Sequence, residues 1–353
     1  MNIRSLKIND FRNIVQADLE FADDVNVIVG DNGSGKTSLL EAIYYLGHAK
    51  SFRTPHSTQL ITLGEKQLVL YGVLGDGLSI GVSRNRTAEL TKIARQVVQK
   101  KSELVTVLPI QFINPDVHKI LDDSPRYRRR FLEWGVFHVE HSYLDLWRQY
   151  QGILKQRNAA LKNRWDKKLI DSWNADLTEV AGAITEIKSR YVEELFAEAS
   201  QILVGFEGLQ LSYQQGWPES QSFADSLHSS LESDYKTGFT KYGPHRSDIK
   251  INLLGIAAKD VVSRGQQKYL ACALKIAQVN LFHKKKGQTP VFLVDDLFSE
   301  LDRVSVNRVV DLLLQTRCQL FLTAIDKQPV LEVLAQEQRK MFHVEHGVFK
   351  EVV

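Results

Sequence analysis

Gly30-Asp31-Asn32-Gly33-Ser34-Gly35-Lys36-Thr37, directly after the apolar run Val25-Asn26-Val27-Ile28-Val29, decides the fold class. The octapeptide fits the G-x4-G-K-[S/T] phosphate loop, and its flanks are the required ones: a buried strand before it and a helical stretch with Leu39, Leu40, Ile43 and Leu46 after it. Glycines let backbone N–H groups converge on phosphate oxygens, and the helix start adds positive potential there. Lys36 is suited to the β- and γ-phosphates and Thr37 to Mg²⁺, so Gly30 to Thr37 and the adjoining Ser38 are read as a nucleotide site. The expected cofactors are ATP and Mg²⁺.

A second apolar strand, Val291-Phe292-Leu293-Val294, ends in Asp295-Asp296. Asp295 is the expected metal-holding acid, and Asp296 the residue that polarises an attacking water; with Lys36 they form the candidate catalytic set. Lys36 and Asp295 lie 259 positions apart, which points to an ABC-type ATPase carrying a large insertion. Ser263-Arg264-Gly265-Gln266-Gln267 then resembles the ABC signature S-x-G-Q, opening a helix, and Ser299-Glu300-Leu301-Asp302 resembles the D-loop. In that superfamily the signature of one chain completes the phosphate site of another. Ser263, Gly265, Gln266 and Asp302 are therefore candidate nucleotide contacts from a second copy.

Outward from these motifs, β-structure is expected over residues 1–29, 66–83 and 104–113. Ser124-Pro125 is a helix start, and helical patterning continues to about residue 203, with a strand at 208–214. The tail returns to α/β alternation, with a helix from about 265, strands at 290–295 and 318–323, and a terminal hairpin. The expected fold is an α/β ABC-type P-loop head interrupted by a mostly α-helical arm: residues 1–120 and 241–353 as head, and 121–240 as arm. The 353 residues, 43% hydrophobic and 25% charged, exclude disorder and fibrous repeats. The two cysteines, Cys272 and Cys318, exclude a disulfide scaffold. No apolar run reaches the ~18 residues of a membrane span, and residues 1–8 lack a signal-peptide block, so the expected location is cytoplasmic.

Several elements together resemble the RecF family of bacterial DNA repair and recombination proteins. They are Ile8-Asn9-Asp10-Phe11-Arg12-Asn13, Gly30 to Ala42, Ser124 to Leu132 with its Arg-Arg-Arg-Phe-Leu, Leu154-Lys155-Gln156-Arg157-Asn158, Gly243-Pro244-His245-Arg246, the Ser263 signature, and Asp295 to Asp302. The resemblance implies an ABC-type head with a short arm, ATP-dependent dimerisation, slow ATP hydrolysis and DNA binding. It also implies work at single-strand gaps beside duplex DNA, helping RecA load with RecR and RecO as companions. Thr323 departs from the histidine that ABC transporters carry after the last core strand, which leaves the γ-phosphate sensor role open.

The formal net charge of +3 conceals a partition. Arg126 to Lys168 carries eleven basic residues against four acidic ones, a net +7 that leaves −4 for the remainder. Trp134, Tyr143, Trp147, Tyr150 and Trp165 are interleaved with it. Basic groups among aromatics suit a phosphate backbone, so Arg126, Arg128, Arg129, Lys155, Arg157, Lys162 and Arg164 are the candidate DNA contacts. Nothing there offers base readout, and binding is expected to follow DNA structure and charge rather than sequence.

Other candidates are Arg12, Asn13 and Arg53 for nucleotide or DNA, Gln111 for Mg²⁺, and His245 with Arg246 near a nucleotide edge. The repeated Phe-His-Val-Glu-His at 137–141 and 342–346 has no cysteine or carboxylate cluster and is read as coincidence rather than zinc ligation. Three rival functions remain. An ABC transporter subunit fits the three motifs but not the basic arm. An SMC- or Rad50-like tether needs longer heptad arms. A scaffold that binds ATP without hydrolysing it differs only in turnover.

Overall fold

The computed structural model describes residues 2–122, 124–334 and 338–352. The side chains of Ser299 and Glu300, half of the D-loop reading, lie outside the described residues. The chain forms two compact units, Met1–Val117 with Arg264–Val353, and His118–Ser263.

Strands β1 (Ile3–Phe11), β2 (Ile14–Glu20), β3 (Val25–Val29), β4 (Gln67–Leu74), β5 (Ser79–Asn85), β6 (Glu89–Ile93), β7 (Gln96–Val97) and β8 (Ile110–Ile113) come first. The second unit adds β9 (Leu209–Gln214), β10 (Asp248–Leu253) and β11 (Ile256–Ala257), after which the first unit is completed by β12 (Val291–Val294), β13 (Leu320–Ala324), β14 (Arg339–Glu345) and β15 (Val348–Val352). In the first unit one antiparallel sheet runs β2-β1-β4-β5-β6-β7, and a second sheet runs β15-β14-β3-β13-β12-β8, parallel except for β15. The two sheets read differently because their burial differs. β1 alternates buried Leu6 and Ile8 with exposed Lys7 and Asn9, as a one-sided sheet requires, whereas β3, β12 and β13 are buried at every position. The Lys36–His48 helix buries Leu39, Leu40, Ile43 and Leu46 in the same core as Ile8 and Leu70 of the antiparallel sheet and Leu293 and Phe321 of the parallel one.

One expected strand is a helix. Residues 104–107 belong to the Lys101–Val107 helix, and only Ile110–Ile113 is extended. The β-branched run misleads there because Glu103 accepts the Lys100 N–H at 3.3 Å, closing a helix start, and Leu104 and Leu108 then bury one face.

The second unit contains helices Pro125–Val139, Tyr143–Lys162, Lys167–Ile202 and Phe223–Thr237. It reaches Ser263, beyond the 240 expected for the arm, because β10 pairs antiparallel with β9 from Asp248↔Gln214 to Leu253↔Leu209. Among the described residues no helix is long and apolar enough to cross a membrane.

Candidate nucleotide site

The β14-β3-β13-β12 order sets the site. Its parallel strands deliver Gly30, Thr323 and Asp295 to the same carboxyl edge of the sheet, where open α/β sheets bind ligands. Gly30 has φ +156°, and a Cβ there would stand 2.3 Å from the Val344 carbonyl oxygen, so only glycine permits the approach. The loop is tied down on its outer side. Asn13 Nδ2 donates to the Ser34 carbonyl at 3.1 Å, and the Gly347 N–H donates to the same carbonyl at 2.7 Å.

A cavity of about 840 Å³ opens at this edge, and its walls include Arg12, Lys36, Thr37, Arg53, Asp295 and Asp296. Lys36 Nζ donates to the carbonyls of Gly30 at 2.6 Å and Asp31 at 3.0 Å. Burial lowers its pKa, against the pull of Asp296 and Asp295, so an approaching anion gains from a cation that is only partly solvated. Thr37 Oγ1 lies 3.1 Å from both oxygens of Asp295. Thr323 Oγ1 donates to Asp295 Oδ1 at 2.7 Å and accepts the Asp296 N–H at 2.9 Å. Burial raises the Asp295 pKa, and the Thr323 and Thr37 hydrogen bonds oppose it. Asp296 sits in the left-handed region at φ +54°, a conformation that costs about 1–3 kcal/mol outside glycine and recurs at functional sites. Thr37 and Asp295 together offer only hard oxygen donors, a set that fits Mg²⁺.

Arg12 is held by a residue the motifs did not indicate. Glu41 is fully buried on the phosphate-loop helix and takes Arg12 as a two-pronged pair, Nε to Oε2 at 2.8 Å and Nη2 to Oε1 at 2.9 Å. Ser51 Oγ also donates to Glu41, and Arg53 Nη1 lies 3.8 Å from it. The signal was available: a carboxylate among Leu39, Leu40, Ala42 and Ile43 must be paired if it is buried. The segment Thr58–Glu65, together with Arg86 and Pro115, completes the cavity wall and carries no motif.

The cavity wall thus gathers Arg12, Asn13, Asn32, Gly33, Gly35, Lys36, Thr37, Ser38, Arg53, Asp295 and Asp296, with the carbonyls of Gly30 and Asp31 holding Lys36. It does not gather Gln111. That side chain turns to the Arg264–Lys286 helix, where Nε2 donates to Gln278 and Oε1 accepts from Lys275 Nζ, so its amide is committed to packing. Gly265 and Gln266 sit in the first turn of the same helix and Asp302 caps the Arg303–Gln315 helix by accepting the Ser305 N–H; none of them, nor Ser263, lines the cavity.

The basic segment divides as well. Arg157 is fully buried, with Nη1 donating to Asp234 Oδ2 at 2.9 Å and to Thr240 Oγ1 at 2.7 Å, so it is a core ion pair and not a surface contact. Arg128 forms a two-pronged pair with Asp248 at 2.8 and 2.7 Å, which anchors the Pro125–Val139 helix to β10. Arg126, Lys155, Lys162 and Arg164 are exposed and Arg129 is half-buried. His245 faces inward: its Nδ1 meets the Tyr150 hydroxyl at 2.7 Å and its Nε2 the Thr240 carbonyl at 3.3 Å. Burial and the neighbouring Arg246 lower its pKa to about 4. His138 and His141 fall in the second unit, whereas His343 and His346 belong to the terminal hairpin of the first.

Set beside known proteins, residues 2–350 match the RecF/RecN/SMC N terminal domain family. The DNA replication and repair protein RecF of Shewanella frigidimarina is 37% identical over 359 residues, covering 99% of each chain. That of Stutzerimonas stutzeri is 38% identical, covering 98% of this chain and 96% of its own. A solved structure of the recombination mediator protein RecF with ATP, from the RecFOR pathway, aligns at TM-score 0.88 and 25% identity over 100% of this chain and 98% of that one. An Smc head bound to the C-winged helix domain of ScpA shares the fold at TM-score 0.62 and 17% identity. The fold is therefore that of a RecF- and SMC-type ABC ATPase head, with mixed sheets and a long inserted helix, Lys167–Ile202.

Proposed function

The chain belongs to the RecF family of DNA replication and repair proteins, and from that membership we propose that it is a DNA-stimulated ATPase that uses ATP to close a dimer on DNA. The observation that carries the reading is the meeting of Lys36, Thr37, Asp295 and Asp296 at one 840 Å³ cavity, in a chain that aligns end to end with an ATP-bound RecF. Lys36 leaves the Gly30 and Asp31 carbonyls for the nucleotide phosphates, a better-charged partner. Thr37 and Asp295 hold Mg²⁺, which when bound offsets phosphate charge. Asp296 polarises the attacking water, and Thr323 keeps both acids in register through its two hydrogen bonds. Arg12, fixed by Glu41, and Asn13 border the nucleotide.

Residues 264–353 with 1–117 act as the ATPase head, and 118–263 as the arm. Ser263, Gly265, Gln266 and Asp302 act on the nucleotide of a second copy, so that ATP closes two heads together and hydrolysis releases them. Arg126, Arg129, Lys155, Lys162 and Arg164 remain available for phosphate contacts without sequence preference. The setting is the bacterial cytoplasm, at gaps and junctions of single- and double-stranded DNA, where RecR and RecO assist RecA loading.

ATP turnover with and without DNA tests this. Hydrolysis should rise with DNA and fall at least about a hundredfold in Lys36→Arg; undiminished turnover in that variant removes the assigned site. Light scattering should show monomer converting to dimer with ATP, and Ser263→Arg should block it. A Ser263→Arg chain that still dimerises removes the paired-head arrangement.

A further inference from the structure

In the second unit two helices end side by side, and each exposes an aromatic ring. The Tyr143–Lys162 helix stops in a Schellman turn: the Trp165 N–H donates to the Ala160 carbonyl at 3.1 Å and the Arg164 N–H to the Leu161 carbonyl at 3.2 Å. Arg164 occupies the left-handed position, φ +56°, that glycine usually takes, and Trp165 follows it. The Phe223–Thr237 helix stops at left-handed Gly238, with Phe239 next. Trp165 is 45% exposed and Phe239 50%. Lys162 Nζ stands 4.3 Å over the Phe239 ring, and the Arg164 guanidinium 5.0 Å over Tyr235.

Capping accounts for some of these cations, since Arg164 Nη1 donates to the Tyr235 carbonyl in the last turn of the Phe223–Thr237 helix. It does not account for the exposed parts of the two rings beside them, Phe239 under Lys162 and Trp165 tilted against Trp173 with ring centres 6.2 Å apart. Cations set among half-exposed rings match a strand that has both phosphates and unpaired bases. Duplex DNA offers only phosphates to such a surface, because its bases are already stacked. We infer that Trp165 and Phe239 form a stacking platform for the bases of single-stranded nucleic acid, with Lys162 and Arg164 holding its phosphates. The inference rests on the DNA-binding reading and adds to it the means by which a gap or junction is told from plain duplex.

Fluorescence anisotropy of the full chain tests it, on a thymidine oligomer of about 20 nucleotides and on a blunt duplex of equal length. Trp165→Ala and Phe239→Ala should each weaken oligomer binding about tenfold and leave duplex affinity within about twofold, while Trp165→Phe keeps most of it. Urea midpoints equal to wild type exclude fold damage. Equal losses on both DNAs, or no loss on either, overturn the platform. So does a Trp165→Ala chain that binds both DNAs normally but no longer dimerises with ATP, since the rings would then meet a second copy. Failure of the unaltered chain to bind either DNA instead overturns the DNA-binding reading itself.

Discussion

Arg12 and Arg157 are both arginines paired with a buried carboxylate, and the chain uses them for opposite ends. Glu41 and Asp234 are each fully buried. Arg12, however, is 21% exposed and borders the 840 Å³ cavity, whereas Arg157 is fully enclosed and turns Nη1 to Asp234 and Thr240 and Nε to Asn174. The first pair orients a cation toward a space; the second closes a core. Thr240 extends that closure, since its hydroxyl donates to Asn158 at 2.8 Å and its carbonyl faces His245. The Lys155-Gln156-Arg157-Asn158 and Gly243-Pro244-His245-Arg246 elements therefore meet at one buried residue. Their pairing holds the second unit together, and the chemistry stays with the first.

The sharpest way to break this contrast is Arg157→Ala. Leaving Asp234 buried and unpaired should cost about 3–5 kcal/mol in urea unfolding of the full chain. A variant of unchanged stability that had lost only DNA affinity would return Arg157 to the surface and dissolve the comparison. Next in size is the acid response of His245. Its folded pKa of about 4 lies below the ordinary 6.5, so the unfolded chain binds more protons between those values. The stability His245 contributes is complete above pH 6.5 and is lost as pH falls toward 4, by up to about 3 kcal/mol. Titrating the urea midpoint of wild type against His245→Asn should show that loss in wild type alone. Smallest is Thr323→Val, which removes the hydroxyl between Asp295 and Asp296. Single-turnover hydrolysis should slow about tenfold, with ATP affinity nearly unchanged; a fall in affinity instead of rate would place Thr323 in binding.

Much of the first unit's site was legible because its signals are local. The Gly30–Thr37 loop, the strand ending in Asp295-Asp296 and the helix following Lys36 are each specified by adjacent residues. Where the packing departs from expectation, the physical source is the same. Gln111, Arg128 and Arg157 carry polar groups that suit a ligand or a phosphate, and each found its partner more than 70 positions away, in Gln278, Asp248 and Asp234. Glu41 was missed for the converse reason, as its partner Arg12 stands 29 positions earlier, in a turn that only sheet pairing brings near.

By itself the sequence determined the ABC-type head, the phosphate loop, its acidic partner strand and an inserted helical segment. Period, glycine placement and buried-strand composition are properties of contiguous residues, and they state what a segment becomes. Tertiary structure alone decided which charges face a cavity and which are enclosed. A buried charge is tolerated only with a partner, and where in the chain that partner comes from depends on the packing of elements far apart in sequence.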